Sequence, residues 1–83
     1  MGKTYIIFTK GNNYFIASGD NEKLIVCEYM KYLGKETSII EKMCVGPTEF
    51  TLPEIINYTN SLTYNWEDDI NTIYELGEII YVD

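Results

Sequence analysis

The first apolar run of the chain lies at residues 3–10, where apolar side chains fall on both faces of an extended segment. Such a run is typical of a central strand that is covered on two sides. Gly11-Asn12-Asn13 follows it, and these residue types tolerate positive φ, so a tight hairpin is expected there. Residues 14–18 then form the returning strand.

A helical spacing replaces this pattern after residue 20. Asp20 or Asn21 can cap a helix over residues 21–33. Gly34 stands where a C-terminal stop belongs. The apolar positions of this predicted helix share one face and are Leu24, Cys27, Met30 and Leu33.

Residues 36–45 predict a third strand, which Gly46-Pro47 interrupts. The next segment carries the strongest start signal of the chain, because Thr51-Leu52-Pro53-Glu54 fits a capping box. Phe50 and Ile55 occupy the two positions of a hydrophobic staple. The helix that follows has one apolar face, formed by Leu52, Ile55, Ile56, Thr59 and Leu62.

A second, shorter helix is predicted from Asn65, because three acidic residues crowd its first turn, where the helix dipole favours negative charge. Its inward positions are Trp66, Ile70, Ile73, Tyr74 and Gly77. Residues 78–82 form a last apolar strand, predicted to lie inside the sheet. The order β-β-α-β-α-α-β describes a single α+β domain over residues 1–83, with about four mostly antiparallel strands and two to three helices.

The amino-acid composition excludes several classes of catalytic and metal-binding site. The chain has no His, and its bases are six lysines. Without His, neither a nucleophile–His pair nor a common zinc site can form, and no glycine-rich phosphate motif occurs. We therefore expect no enzymatic activity, no metal and no cofactor. Cys27 and Cys44 lie in apolar runs and are expected to be free thiols, and a single disulfide between them is the alternative that the sequence leaves open.

No signal peptide and no stretch of membrane-spanning length is visible, so a cytoplasmic location is expected. The net charge of −7 argues against direct nucleic-acid binding. The charge is also unevenly distributed: residues 1–42 carry +1, and residues 43–83 carry eight carboxylates and no base. Acidic residues without bases repel one another, so this segregation suggests a function.

That function is predicted to be the binding of a basic partner. A rigid negative surface can occupy a Lys/Arg groove built for phosphate backbones, and exposed aromatic rings can add affinity. The predicted partner-binding residues are Glu54, Tyr58, Tyr64, Trp66, Glu67, Asp68, Asp69, Glu75 and Glu78.

The short length, the Glu67-Asp68-Asp69 cluster, the base-free second half and the aromatic content together resemble the small acidic inhibitors of phages and other mobile elements. These include nucleic-acid mimics and anti-CRISPR proteins. The resemblance implies a phage protein that blocks a nucleic-acid-binding site on a basic host protein, such as a CRISPR effector, in the host cytoplasm. It implies no particular fold.

Two other functions remain open. One is a structural or regulatory interaction module that forms a homodimer through sheet edges or aromatic residues, in which apolar substitutions rather than acidic ones abolish association. The other is a small-ligand binder for a signalling nucleotide, which requires a positive pocket for phosphates.

Overall fold

The computed structural model describes residues 2–76 and 78–82 and shows an α+β fold. Its elements are β1 (Lys3–Thr9), β2 (Tyr14–Gly19), α1 (Glu22–Tyr32), α2 (Ser38–Val45), α3 (Leu52–Leu62), a 3₁₀ turn (Trp66–Asp68), β3 (Ile70–Glu75) and β4 (Glu78–Val82). The strands form one antiparallel sheet in the order β2-β1-β3-β4. The predicted α+β class, with four antiparallel strands and three helices, is confirmed, but the predicted element order differs.

The first third of the chain folds as its pattern predicts. β1 and β2 form a hairpin whose connection includes Asn12 at a φ of 64°. The Asn21 side chain caps α1 by accepting the N–H of Leu24 at 3.1 Å. Gly34 follows the helix with a φ of 76°, a conformation that glycine adopts without steric cost.

The capping box of α3 is also confirmed. Thr51 Oγ1 accepts the N–H of Glu54 at 3.3 Å, and Glu54 Oε1 accepts the N–H of Thr51 at 2.9 Å. The same Thr51 N–H bond holds the pKa of Glu54 below its ordinary value. The buried side of this helix contains Ile55, Ile56 and Thr59.

The predicted third strand over residues 36–45 is wrong, because the segment forms helix α2. Ile40 is buried, and Met43 and Cys44 pack against the core, which is the i, i+3, i+4 spacing of a helix. Glu36 Oε1 accepts the N–H of Ser38 at 2.6 Å at the start of the helix. The β-branched residues of this run fit either element, and packing against α1 and α3 decides between them.

The predicted helix from Asn65 is likewise wrong. Only Trp66–Asp68 is helical, as a single 3₁₀ turn, and β3 follows at once. Residues 70–75 are rich in Ile, Thr and Tyr, which pack well on a pleated surface, and pairing with β1 favours the strand. Asp68, Asn71, Thr72 and Glu75 therefore do not share a helical face. Gly77, the last predicted inward position of that helix, lies outside the described residues.

The three α-helices cover one face of the sheet. Their buried side chains form a single core with inward-facing strand residues, which comprise Tyr5, Ile7, Ile70 and Ile73. β1 was predicted to be covered on two sides, and it is covered on one. β4 was predicted to be internal and is an edge strand. Both errors have the same cause: the apolar residues of these strands that do not face the core lie on a second, open face.

Candidate functional site

The open face of the sheet carries five of the eleven exposed large hydrophobic side chains of the described residues. Along β1, Tyr5 and Ile7 point into the core, whereas Ile6 and Phe8 point away from it. The same alternation continues in the paired strands, as the period of two in a strand requires. We call the outward-pointing side chains of the four strands the open sheet face.

Two cross-strand rows make up most of the open sheet face, and each crosses all four strands. The register aligns Tyr14, Phe8, Thr72 and Val82 in the first row, and Ile16, Ile6, Tyr74 and Ile79 in the second. A shorter polar row begins with Ser18 and Thr4, whose hydroxyl oxygens lie 3.5 Å apart. Six of the eight side chains in the two long rows are large apolar or aromatic groups, and the other two are Val82 and Thr72.

The aromatic rings of this face contact one another. Phe8 lies edge-on to Tyr74, with ring centroids 5.4 Å apart, and tilts against Tyr14 at 6.4 Å. Several of the large side chains remain well exposed to solvent: Phe8 (37%), Tyr14 (67%), Ile16 (54%), Ile79 (56%) and Val82 (58%). Because the strands beneath are fully paired, the face is already ordered before anything binds to it.

Charge is excluded from this face and placed at its ends. No Asp, Glu or Lys occurs in the rows described above. At one end of the sheet, Lys3 Nζ lies 3.3 Å from Glu75 Oε1, and this hydrogen bond raises the pKa of Lys3. At the other end, Lys10 Nζ lies 4.0 Å from Asp69 Oδ2. The result is an apolar surface with ion pairs at two margins.

The predicted acidic site residues fall into separate groups. Glu67, Asp68 and Asp69 lie in and after the 3₁₀ turn, close to the exposed Trp66 and to the hairpin. Asp69 is held by Lys10 and also accepts a hydrogen bond from the Thr63 hydroxyl. Glu67 and Asp68 form no ion pair within the part of the chain that the structure describes.

The remaining carboxylates lie elsewhere. Glu75 and Glu78 are paired across β3 and β4. Glu75 follows Asp69 by six positions, about 20 Å along the strand, so the two ends of β3 hold separate acidic groups. Glu54 is engaged in the cap of α3. Asp83, the last acid of the base-free half, lies outside the described residues.

The predicted aromatic residues also divide. Tyr58 is half-buried and packs against the core, so its ring is not freely exposed to a partner. Tyr64 is 97% exposed, and the Lys35 ammonium lies over its ring, 3.7 Å from the ring centroid. Trp66 is 64% exposed. These two rings and the carboxylates of Glu67 and Asp68 form a short acidic-aromatic segment, residues 64–68.

A cleft of about 400 Å³ lies between α1, α2 and the end of β2. Its only lysine, Lys31, is held by Glu41 at 3.1 Å and Glu28 at 3.5 Å, so its charge is already neutralised. Cys27 lines the cleft as a free thiol, and burial raises its pKa. Among residues 2–76 and 78–82, no group of three potential ligands could hold a metal ion.

No family model, curated protein or solved structure matches this chain. None of the described helices has the length and apolar character needed to cross a bilayer.

Sequence reasoning missed the open sheet face, although its signal was present. The predicted strands over residues 3–10 and 78–82 carry apolar residues on both faces, a pattern that predicts burial inside the sheet. Three short helices, however, can cover only one face of a four-stranded sheet about 20 Å wide. An apolar second face without a second layer was therefore already implied by the number of elements.

Proposed function

We propose that this protein is a non-enzymatic protein-interaction module that binds through the open sheet face. One observation carries the proposal: two rows of side chains cross all four strands without a charged group, and five of the eight side chains are at least 37% exposed. A soluble monomer seldom exposes a contiguous apolar patch larger than a few hundred Å², and such patches mark interaction sites.

The chemistry of the face favours protein over nucleic acid as its ligand. Aromatic residues on an open sheet can stack bases, but such surfaces also need basic groups for the phosphates. The face has none, and the two lysines at the sheet ends, Lys3 and Lys10, are engaged by carboxylates. The cleft on the helical side offers a phosphate only a neutralised Lys31. An apolar protein surface therefore fits the open sheet face better than a nucleic acid or a phosphate-containing small ligand does.

The test compares two matched substitutions. Ile79 lies on the open sheet face and is 56% exposed, and Ile39 lies on α2 and is 54% exposed. Both are changed to Lys in the full chain, and complexes formed by each variant are compared with those of the wild type. We expect Ile79→Lys to weaken association at least about 30-fold, because it buries an unpaired charge, and Ile39→Lys to change it little. A complex that only Ile39→Lys disrupts would contradict the proposal.

The acidic-aromatic segment 64–68 supports a second candidate function, inhibition of a basic nucleic-acid-binding site on a host protein. The observation in its favour is that exposed Trp66 and Tyr64 adjoin two carboxylates, those of Glu67 and Asp68, without an ion pair among the described residues. Charge complementarity of this kind speeds association with a cationic groove.

Charge reversal tests this second function. Glu67→Lys with Asp68→Lys is compared with Glu49→Lys, an exposed position in the same base-free half. If the segment binds a basic groove, the double variant loses affinity and the control retains most of it. Equal losses would point to a general effect of net charge rather than to a site.

A further inference from the structure

We infer that the occupant of the open sheet face is a second copy of this chain, packed sheet to sheet in a two-fold dimer. The inference rests on the proposed function and names its partner. Two-fold dimers are the most common protein assemblies, and their interface uses the same patch on both subunits. A suitable patch must therefore be complementary to itself, which the absence of charge makes possible here.

The available area fits a dimer. A large side chain taken entirely out of water buries about 200 Å². Weighted by their exposed fractions, Phe8, Tyr14, Ile16, Ile79 and Val82 together expose about 500 Å². Two copies would bury about 1,000 Å² from these residues alone, which reaches the size of a specific interface. The half-exposed Ile6 and Tyr74 and the exposed Leu76 at the margin add to this area.

The shape of the face also suits sheet packing. Two sheets packed face to face lie about 10 Å apart and interdigitate side chains from their inner faces. In the first row, the rings of Tyr14 and Phe8 stand beside the smaller Thr72 and Val82, so large and small groups occupy different ends of that row. The paired strands hold the rings in place before association, which reduces the entropy lost on binding.

The negative charge does not prevent this arrangement. The molecule measures 33 × 32 × 20 Å, and its short dimension holds the sheet and the single helical layer. In a sheet-to-sheet dimer the two helical layers lie outermost, well beyond the Debye length of about 8 Å at physiological salt. The nearest charges are at the sheet ends, where Lys3 and Lys10 each neutralise one carboxylate and the exposed Glu78 contributes one more.

A different dimer would join sheet edges, because β2 and β4 are both edge strands. The two arrangements respond differently to substitution. Ile16 on β2 and Ile79 on β4 lie at opposite edges but in the same row of the open sheet face. Face packing requires both positions, whereas pairing through one edge places only one of them at the interface.

The experiment is analytical ultracentrifugation of the full chain over about 1–300 μM, a range that reveals micromolar association. Wild type is compared with Ile16→Lys, Ile79→Lys and Ile39→Lys, three identical changes at positions 54%, 56% and 54% exposed. We expect a wild-type dimer whose dissociation constant rises at least about 30-fold in both face variants and within about threefold in Ile39→Lys. Circular dichroism checks that each variant is folded.

Each other result overturns the inference in a distinguishable way. A dimer lost in only one of the two face variants indicates edge pairing. A dimer lost only in Ile39→Lys places the interface on the helical side. A wild-type monomer at every concentration excludes the second copy. In that case, the sensitivity of other complexes to Ile79→Lys and Ile39→Lys still decides the proposed function separately.

Discussion

Gly11 shows how one residue joins two distant segments. Its N–H donates to the Glu67 carbonyl at 3.0 Å, and the adjacent Lys10 N–H donates to the Asp69 carbonyl at 2.9 Å. A Cβ added at Gly11 would lie 2.5 Å from Glu67 Cβ and 3.0 Å from the Glu67 carbonyl oxygen. The sequence identified Gly11 as a turn residue, but its requirement for glycine comes from this close approach, which no local pattern reveals.

Gly11→Ala is therefore expected to destabilise the fold by about 1–3 kcal/mol, since backbone atoms of Glu67 must move to accommodate the methyl group. Gly2→Ala is the matched control, because its added Cβ would have no neighbour closer than 3.8 Å. Urea denaturation measures both changes. Equal stability of the two variants would show that the hairpin and the 3₁₀ turn do not need this contact.

The two thiols lead to a chemical prediction. Burial raises the pKa of Cys44 to about 11 and also raises the pKa of Cys27. Because the thiolate is the reactive form, both should react at least about 10-fold more slowly with a thiol reagent at pH 8 in the folded chain than in denaturant. A stopped-flow or plate assay of thiol modification checks this. Rapid modification of the native chain would contradict the burial of these side chains.

At the scale of elements, the sequence predicted well wherever a local contact decides the structure. The Asn21 cap, the hairpin and the Thr51–Glu54 capping box depend on groups only a few residues apart, so their chemistry is readable in the chain. The predicted secondary structure was wrong for two segments, the strand over residues 36–45 and the helix that begins at Asn65. Their Ile-, Thr- and Tyr-containing runs fit helix or strand, and the choice depends on tertiary neighbours.

The capping box of α3 is expected to contribute measurably to the stability of the fold. Thr51→Ala removes the hydroxyl that accepts the Glu54 N–H and is expected to cost about 1 kcal/mol of stability. Thr48→Ala, the same change at an exposed loop position, is the control. For a domain of this size, the loss lowers the melting temperature by about 4–8 °C. An unchanged melting temperature would mean that α3 is held by packing alone.

The pH dependence of this cap has a defined sign. The pKa of Glu54 is lower in the folded chain than its ordinary value of 4.5, because its carboxylate accepts the Thr51 N–H. Its contribution is therefore fully present above pH 4.5 and is lost as the pH falls through the folded pKa. Thr51→Ala removes the Thr51 hydroxyl, which also donates to this carboxylate at 2.9 Å, so the difference between wild type and Thr51→Ala should shrink over that acidic range.

At the scale of the whole molecule, the candidate site was predicted less well than the fold. The charge asymmetry is real in the sequence, but the structure divides the carboxylates of the described residues between the two ends of β3 and the start of α3. To predict the open sheet face, one must know how many layers of helices cover the sheet. That number is a property of the folded chain and not of any one segment. Pattern analysis detects the apolar residues of such a face but not the absence of a cover.

The balance of forces between two copies leads to the last prediction. Burial of the apolar face drives this association, and the costs of association, about 4–15 kcal/mol, offset much of it, so the buried area gives no fixed affinity. Two exposed like charges 10 Å apart in water repel by about 0.4 kcal/mol, and salt screens this further. Most charges of the two chains, each of net charge −7, lie farther apart than the Debye length of about 8 Å at physiological salt, so screening keeps their summed repulsion a small opposing effect.

Added salt should consequently strengthen self-association, because it screens the repulsion and does not weaken apolar contact. We expect the dissociation constant of the dimer to fall a few-fold between about 50 mM and 500 mM NaCl, measured by sedimentation. A complex of the acidic-aromatic segment 64–68 with a basic partner should weaken over the same range, because its attraction is screened. Self-association that weakens more than about 10-fold with salt would contradict the inference. It would indicate that the interface is formed by the carboxylates and not by the open sheet face.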